Sequence, residues 1–207
     1  MKTFFTKLGR IVLYRTIERN LVDCESVLDI GCGGDSPLGK IKLSLYKEGV
    51  DIFEPAILQS KKKAIHNKYR IMDLSDIDKA YSEKSFDAVL ALEVIEHLRK
   101  QESIELIKKM ESIAKKRVLI STPNGFRPQE ICENNPYRVH KSGWYESELK
   151  SMGYKCYGIR GLKFIRGKEG EIKYKPWIFW GIFAAISELL VFFYPKMSFG
   201  IFAVKHL

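Results

Sequence analysis

The six residues EVIEHL, Glu93 to Leu98, hold two carboxylates and one of the four histidines in the chain. Carboxylate and imidazole groups are the commonest acid–base catalysts, so the stretch is a candidate for chemistry. In a helical segment Glu93 and Glu96 are three apart and Glu93 and His97 four apart, which puts all three on one face. The same residues also suit the acidic start of a helix with a solvated histidine. Sequence spacing alone leaves both readings open.

A second candidate is VLDIGCGG, Val27 to Gly34. Glycines directly after a buried strand let the backbone turn tightly and approach a ligand, and a following helix start offers free N–H groups. A ligand-free turn and a nicotinamide dinucleotide site are the alternatives. GxGxxG spacing fails, because the residue three after Gly33 is Ser36. Asp51 follows about 20 residues later at the end of the next apolar run, where a carboxylate can accept both hydroxyls of a ribose. Asp73, one strand further on, is placed to reach an exocyclic amino group of adenine. Each acid would serve equally as a strand-end turn or helix cap.

The elements that would position these groups alternate. SVLDI, KEGVDIF, YRIMDL, SFDAVLAL and RVLIST read as short buried strands, separated by helical stretches from Pro55 to Lys68 and through about Lys115. YKCYGIRG follows a short helix closed by Gly153, and FGIFAVKH supplies a seventh strand. This is the pattern of an α/β domain with a mostly parallel sheet, in which ligands sit beyond the carboxyl ends of the strands. GCGG, Asp51, Asp73 and Glu93 all fall there.

At 207 residues the chain suits one domain with a sizeable core, and 45% hydrophobic residues argue against disorder. The net charge of +10 favours anionic partners, although lysine pairs on helix faces also read as solvated surface. Cys24, Cys32, Cys132 and Cys156 form no CxxC pair, which fits a reduced, cytoplasmic chain. Residues 1–22 read as a basic amphipathic helix, because Lys7, Arg10, Arg15 and Arg19 interrupt the apolar residues and no cleavage site follows. His66 and His206 lack chemical context and are expected at the surface.

VLDIGCGG, GVD, MDL, FDAVLALEVIEHL and STPNG, in this order over roughly residues 25 to 165, resemble the class I S-adenosylmethionine-dependent methyltransferases. The resemblance implies a single Rossmann-like domain over 1–207: a doubly wound, seven-stranded, mostly parallel sheet whose last strand is antiparallel. It implies that Asp29, Gly31, Cys32 and Gly33 line the methionine part of the cofactor and that Asp51, with Ile52, holds the ribose. Asp73 and Leu74 would flank the adenine, with Leu92 also at the cofactor. The family's third glycine position holds Asp35, followed by Ser36 and Pro37, so the loop is either stiffer or offers a carboxylate to the cofactor's positive end.

E-x-x-E-H resembles two subgroups, the ubiquinone-biosynthesis O-methyltransferases and the small-RNA 2′-O-methyltransferases. That resemblance implies that Glu93, Glu96 and His97 join a later histidine around a divalent metal; NPYRVHKSGW supplies His140, with Lys141 and Trp144 near it. Coordination lowers the pKa of a bound hydroxyl and orients it, and Mg²⁺, Mn²⁺ or Zn²⁺ would each serve. Without a metal, Glu96, His97 and His140 would act as acid–base or polar contacts to the acceptor.

The segment PWIFWGIFAAISELLVFFYP, within an apolar insertion spanning 166–196 before the last strand, has 18 residues between its prolines. Trp177, Trp180 and Tyr194 stand where interfacial aromatics would, with Lys173, Lys175 and Lys196 flanking. A transmembrane helix would put Glu188 in hydrocarbon and strand FGIFAVKH away from its sheet. The other readings are a cover helix on the sheet or on a second subunit, and a docking element at a membrane surface or lid over a lipid-like acceptor.

The expected function is methyl transfer from S-adenosylmethionine to an oxygen of a small-molecule or lipid-like acceptor. RNA 2′-O-methylation is the alternative within enzymes. A non-catalytic, membrane-associated protein that keeps the fold is the alternative outside them.

Overall fold

A computed structural model of the chain describes residues 2–129, 135–167 and 170–207; Cys132 lies outside the described residues. Seven strands form one sheet: β1 (Ser26–Ile30), β2 (Tyr46–Asp51), β3 (Lys68–Ile71), β4 (Phe86–Leu92), β5 (Ala114–Pro123), β6 (Lys155–Leu162) and β7 (Ser198–His206). Their order is β3-β2-β1-β4-β5-β7-β6, with β1 to β5 parallel and β7 antiparallel to both neighbours. Strand order reverses at β1, so a crevice opens beyond the carboxyl ends of β1 and β4.

The helices are α1 (Lys2–Leu21), α2 (Glu54–Lys62), α3 (Ile77–Ala80), α4 (Lys100–Ile113), α5 (Glu146–Ser151) and α6 (Trp177–Phe193). Alternation in β4 divides the core between the two sheet faces. Val89 and Ala91 pack with Leu106, Ile107 and Met110 of α4, while Ala88 and Leu90 pack with Leu13, Ile17 and Leu21 of α1. α4 buries Leu106, Ile107, Met110 and Ile113, and α1 buries Leu13, Ile17 and Leu21 at intervals of four, so each turns one face to the sheet.

The helical readings change at three places. α2 ends at Lys62 rather than running to Lys68, because Ala64 takes a left-handed φ of 50° and turns the chain inward toward His66. EVIEHL is not on an α-helix: Glu93 has φ 59°, Ile95–His97 form a single 3-10 turn, and α4 starts only at Lys100. α4 also stops at Ile113, since Ala114 already pairs with Phe86 in the sheet. Gly153 closes α5 as expected, with φ 88° and its N–H donated to Lys150 O at 2.9 Å.

The apolar segment forms α6, laid across β6. Gly158 of β6 permits the close approach, because a Cβ there would collide with the Val191 carbonyl. The inner face of α6 buries Gly181, Ala184, Ser187, Glu188 and Val191, whereas Ile178, Phe179, Ile182, Ile186, Leu189 and Phe193 are exposed. No helix among the described residues is long and apolar enough to cross a membrane, which overturns the transmembrane alternative for this segment. The chain leaves α6 through Pro195–Met197 straight into β7, in the middle of the sheet's antiparallel half.

Candidate active site

A cleft of about 1410 Å³ lies at the carboxyl ends of β1, β2, β4 and β5. That exceeds the ~300–1,000 Å³ of a site for one small molecule and leaves room for two ligands.

One half is built by the loop after β1 and the ends of β2 and β3. Gly31 and Gly33 have φ of 64° and 57°, a region that glycine enters without a Cβ penalty. A Cβ on Gly33 would meet nothing within 4 Å, so its backbone borders open cleft, while one on Gly31 would strike Val94. Asp51 accepts the Gly33 N–H on Oδ2 and the Phe53 N–H on Oδ1, both at 2.8 Å. Burial raises the Asp51 pKa against the lowering effect of these bonds. Cys32, Ile52, Leu74 and Leu92 line the cleft, and burial followed by the Asp29 and Asp51 charges holds the Cys32 thiol protonated. Asp73 reaches the wall but also caps the turn Leu74–Asp76, accepting Ser75 N–H at 2.8 Å. Asp35 ion-pairs with Lys63 Nζ at 2.9 Å, so the acid at the third glycine position meets a chain cation.

Asp29 is a correction. It is buried beneath the loop, outside the cleft lining, and accepts Ser36 Oγ–H at 2.5 Å beside His66 Nε2 at 3.0 Å. His66 is likewise buried, with Nδ1 3.2 Å from Ser60 Oγ, because Asp29 and Ser60 supply polar partners for both ring nitrogens. These residues brace the glycine loop from below. His206 is exposed, as expected.

The other half rises from β4 and β5. Glu93, held in the left-handed region, accepts Ser121 Oγ–H at 3.0 Å and pairs with Arg160 Nη1 at 2.9 Å. Arg160 is itself left-handed, at φ 67°. Two non-glycine residues in this costly conformation, joined across the cleft wall, mark a strained site. The 3-10 turn is pinned by Ile95 O, which accepts Ser103 Oγ–H and Ser142 Oγ–H at 2.7 and 3.2 Å. Lys141 N–H and Ser142 N–H are donated to Glu96 O at 2.8 and 3.1 Å, which brings His140 against the turn.

Glu96, His97 and His140 therefore meet: one potential ligand atom from each lies within 4.8 Å of the others. Glu96 is 2% exposed, and neither carboxylate oxygen has a hydrogen-bond partner of full geometry among the described residues, although the Thr122 hydroxyl is near. Burial, then the Glu93 charge, raises its pKa well above the usual carboxylate range. His97 Nδ1 faces Val139 O at 3.3 Å and His140 Nδ1 faces Arg127 O at 2.7 Å. With those nitrogens donating, each ring keeps a lone pair on Nε2, the arrangement that commonly orients metal-bound histidine. Burial, then the His140 charge, lowers the His97 pKa to about 4, and burial lowers that of His140. Two neutral imidazoles and a carboxylate without full partners fit a divalent cation. The Glu93 carboxylate, engaged with Arg160 and Ser121, stands outside this group of three.

Sequence reasoning missed Arg127, Arg138 and Arg160, which make the far wall basic. Arg160 sits in an otherwise unremarkable strand, and no local pattern marks it.

Residues 28–120 match the family model described as Methyltransferase domain. No curated protein matches the chain by sequence. Among solved structures, a SAM-dependent methyltransferase from Archaeoglobus fulgidus superposes with TM-score 0.63 at 20% identity, covering 96% of this chain and 94% of that one. The methyltransferase domain of bacterial CtHen1 gives 0.57 at 21% identity, with 97% of each chain covered. Magnesium protoporphyrin IX methyltransferase from Synechocystis PCC 6803, solved with bound SAM, gives 0.52 at 18%, covering 98% and 79%. At these identities the likeness is one of fold.

Proposed function

We infer that the chain is an S-adenosylmethionine-dependent methyltransferase whose acceptor is a small or lipid-like molecule methylated at oxygen; the match of residues 28–120 to a methyltransferase-domain model supports the reaction class. The observation behind this reading is the buried Glu96 carboxylate, without full hydrogen-bond partners, facing His97 and His140 in the cleft. An isolated buried carboxylate is costly unless something pairs with it, so its position needs a functional reason.

The donor half needs little chemistry of its own. Gly31 and Gly33 allow the backbone close to the cofactor, Asp51 offers carboxylate oxygens to a ribose, and Ile52, Leu74 and Leu92 supply apolar walls. Asp73 adds a carboxylate at the adenine end. The protein's main contribution is to hold donor and acceptor in line and exclude water.

In the acceptor half, Glu96, His97 and His140 would hold a divalent cation, a donor set richer in imidazole than Mg²⁺ usually takes and so better suited to Mn²⁺ or Zn²⁺. Such a cation, when bound, lowers the pKa of an acceptor hydroxyl. Glu93 and Arg160 fix the wall beside it. In metal-free protein the same histidines, kept neutral by burial, would accept a hydrogen bond from the acceptor hydroxyl and orient it.

Titration calorimetry with S-adenosylmethionine tests the donor half; heat in the parent and none in Asp51→Ala is expected. An acceptor screen, read as S-adenosylhomocysteine with and without chelator, tests the rest. Glu96→Ala and His140→Ala should each lower turnover at least 100-fold while leaving cofactor binding within about twofold. Unchanged turnover in both would remove these residues from the chemistry.

RNA 2′-O-methylation is the second reading, favoured by Arg127, Arg138 and Lys141 at the cleft. It requires RNA binding that weakens steeply with salt.

A further inference from the structure

α6 is built with its polarity reversed. Its inward face carries Gly181, Ala184, Ser187, Glu188 and Val191, and most of its large apolar side chains point away from the protein. Ile178, Phe179, Ile182, Ile186, Leu189, Leu190 and Phe193 follow at intervals of one, three and four residues, which aligns them along one side of the helix. Leu189 and Phe193 are 73% and 74% exposed. Seventeen residues at about 1.5 Å each give a stripe about 25 Å long, too much contiguous apolar surface for an element with no partner.

The charges around the stripe identify the partner. From Ile172 to Met197 the charged residues are Lys173, Lys175, Lys196 and Glu188. The three lysines are exposed at the two ends of α6; the one acid is buried, accepting Arg160 N–H at 2.8 Å. Aromatic residues occupy the same ends: Tyr174 and Trp177 at the start, Tyr194 at the close, all exposed. Lys175 Nζ lies 5.1 Å from the Trp177 ring centre. α1, which packs beside α6, carries the exposed cations Arg15 and Arg19 and the acid Glu18 in its second half. Apolar bulk in the middle, amphipathic rings at its margins and cations beyond them match the layered chemistry of a bilayer surface with anionic headgroups. A second copy of this chain would bring its own lysines against these lysines.

We propose that the outer face of α6 docks the protein on an anionic membrane surface, lying in the interface plane. Ile178, Phe179, Ile186, Leu189 and Phe193 enter the acyl boundary, while Lys173, Lys175 and Lys196 meet the headgroups.

The test is co-sedimentation of the full chain with vesicles of phosphatidylcholine alone or with phosphatidylglycerol added. Binding to the mixed vesicles, weak binding to the neutral ones and release by high salt are expected. Leu189→Ser/Phe193→Ser should lower the partition at least tenfold. Lys173→Glu/Lys175→Glu, which alters exposed side chains and the Lys175 contact with the Trp177 ring, should lower it about 30-fold at low salt, on the scale of about fivefold per lysine at an anionic surface. Emission of Trp177 and Trp180 should shift to the blue on binding. Unchanged circular dichroism confirms that each variant is folded. No sedimentation with anionic vesicles overturns the proposal, as does equal binding by Leu189→Ser/Phe193→Ser. Sedimentation equilibrium showing a dimer that this substitution dissociates would assign the face to a second copy and overturn it too.

Discussion

At the scale of single residues, function here coincides with local cost. Glu96 lacks full partners for a buried carboxylate, and a site that pays stability for chemistry should repay it when the chemistry is removed. In chelated protein, Glu96→Gln should raise Tm by about 2–4 °C, corresponding to roughly 1 kcal/mol in a chain of this size, while abolishing methyl transfer. Differential scanning fluorimetry and the turnover assay check the two halves. The opposite sign is expected under the loop: His66→Ala removes a partner of buried Asp29 and should cost about 1–3 kcal/mol, read from urea midpoints. VLDIGCGG and Asp51 were legible because the glycines and the strand-end acid stand together in sequence. The Asp29–His66 contact was not, since it joins residues 37 apart and nothing beside His66 signals a partner. The spacing of Glu93, Glu96 and His97 singled them out, but the shared face that a helix would have given them is absent. The left-handed Glu93 turns its carboxylate to Arg160, and only the 3-10 turn presents Glu96 and His97 to His140.

At the scale of elements, all seven strands were legible: β1, β4 and β5 as the short, continuous apolar runs of buried parallel strands, the others as short runs bounded by turn or helix signals. Helix ends were less so, being set by tertiary contacts such as Ala114 opposite Phe86. Two joints carry predictions. Gly158→Ala should destabilise by about 1–3 kcal/mol, because α6 must lift from β6 to clear the Val191 carbonyl. Limited proteolysis within α6 should accelerate in parallel. At the sheet edge, buried Glu48 accepts Tyr81 O–H at 2.6 Å and Arg70 Nε–H at 3.0 Å. Burial alone would raise the Glu48 pKa, but Tyr81, Arg70 and Lys68 hold it below the usual value. A carboxylate with a depressed folded pKa contributes stability above its unfolded pKa of about 4.3 and loses it as pH falls through the folded value. Tyr81→Phe should therefore cost about 1.5–3 kcal/mol at pH 7, with the gap to the parent closing below about pH 4. Urea titrations at the two pH values measure it.

At the scale of the molecule, the sheet divides the labour of the cleft. Under the proposed function, the donor residues hang from β1, β2 and β3, and the acceptor wall from β4, β5 and β6. The second side is tied to the surface helix through one chain of contacts: Glu188 of α6 accepts Arg160 N–H, Arg160 pairs with Glu93, and Glu93 accepts Ser121 O–H. On the other side, the Asp51 oxygens are held locally by the Gly33 and Phe53 N–H groups. Substitutions on the two sides should then separate kinetically. Arg160→Ala frees Glu93 and disturbs the acceptor wall, so KM for the acceptor found in the screen should rise at least tenfold. Its Kd for S-adenosylmethionine should stay within about twofold, since the donor half is untouched. Asp51→Ala should do the reverse, with calorimetric affinity for the donor falling and acceptor KM little changed. Equal loss of donor affinity in both variants would mean that the cleft works as one coupled unit rather than as two halves meeting at β4.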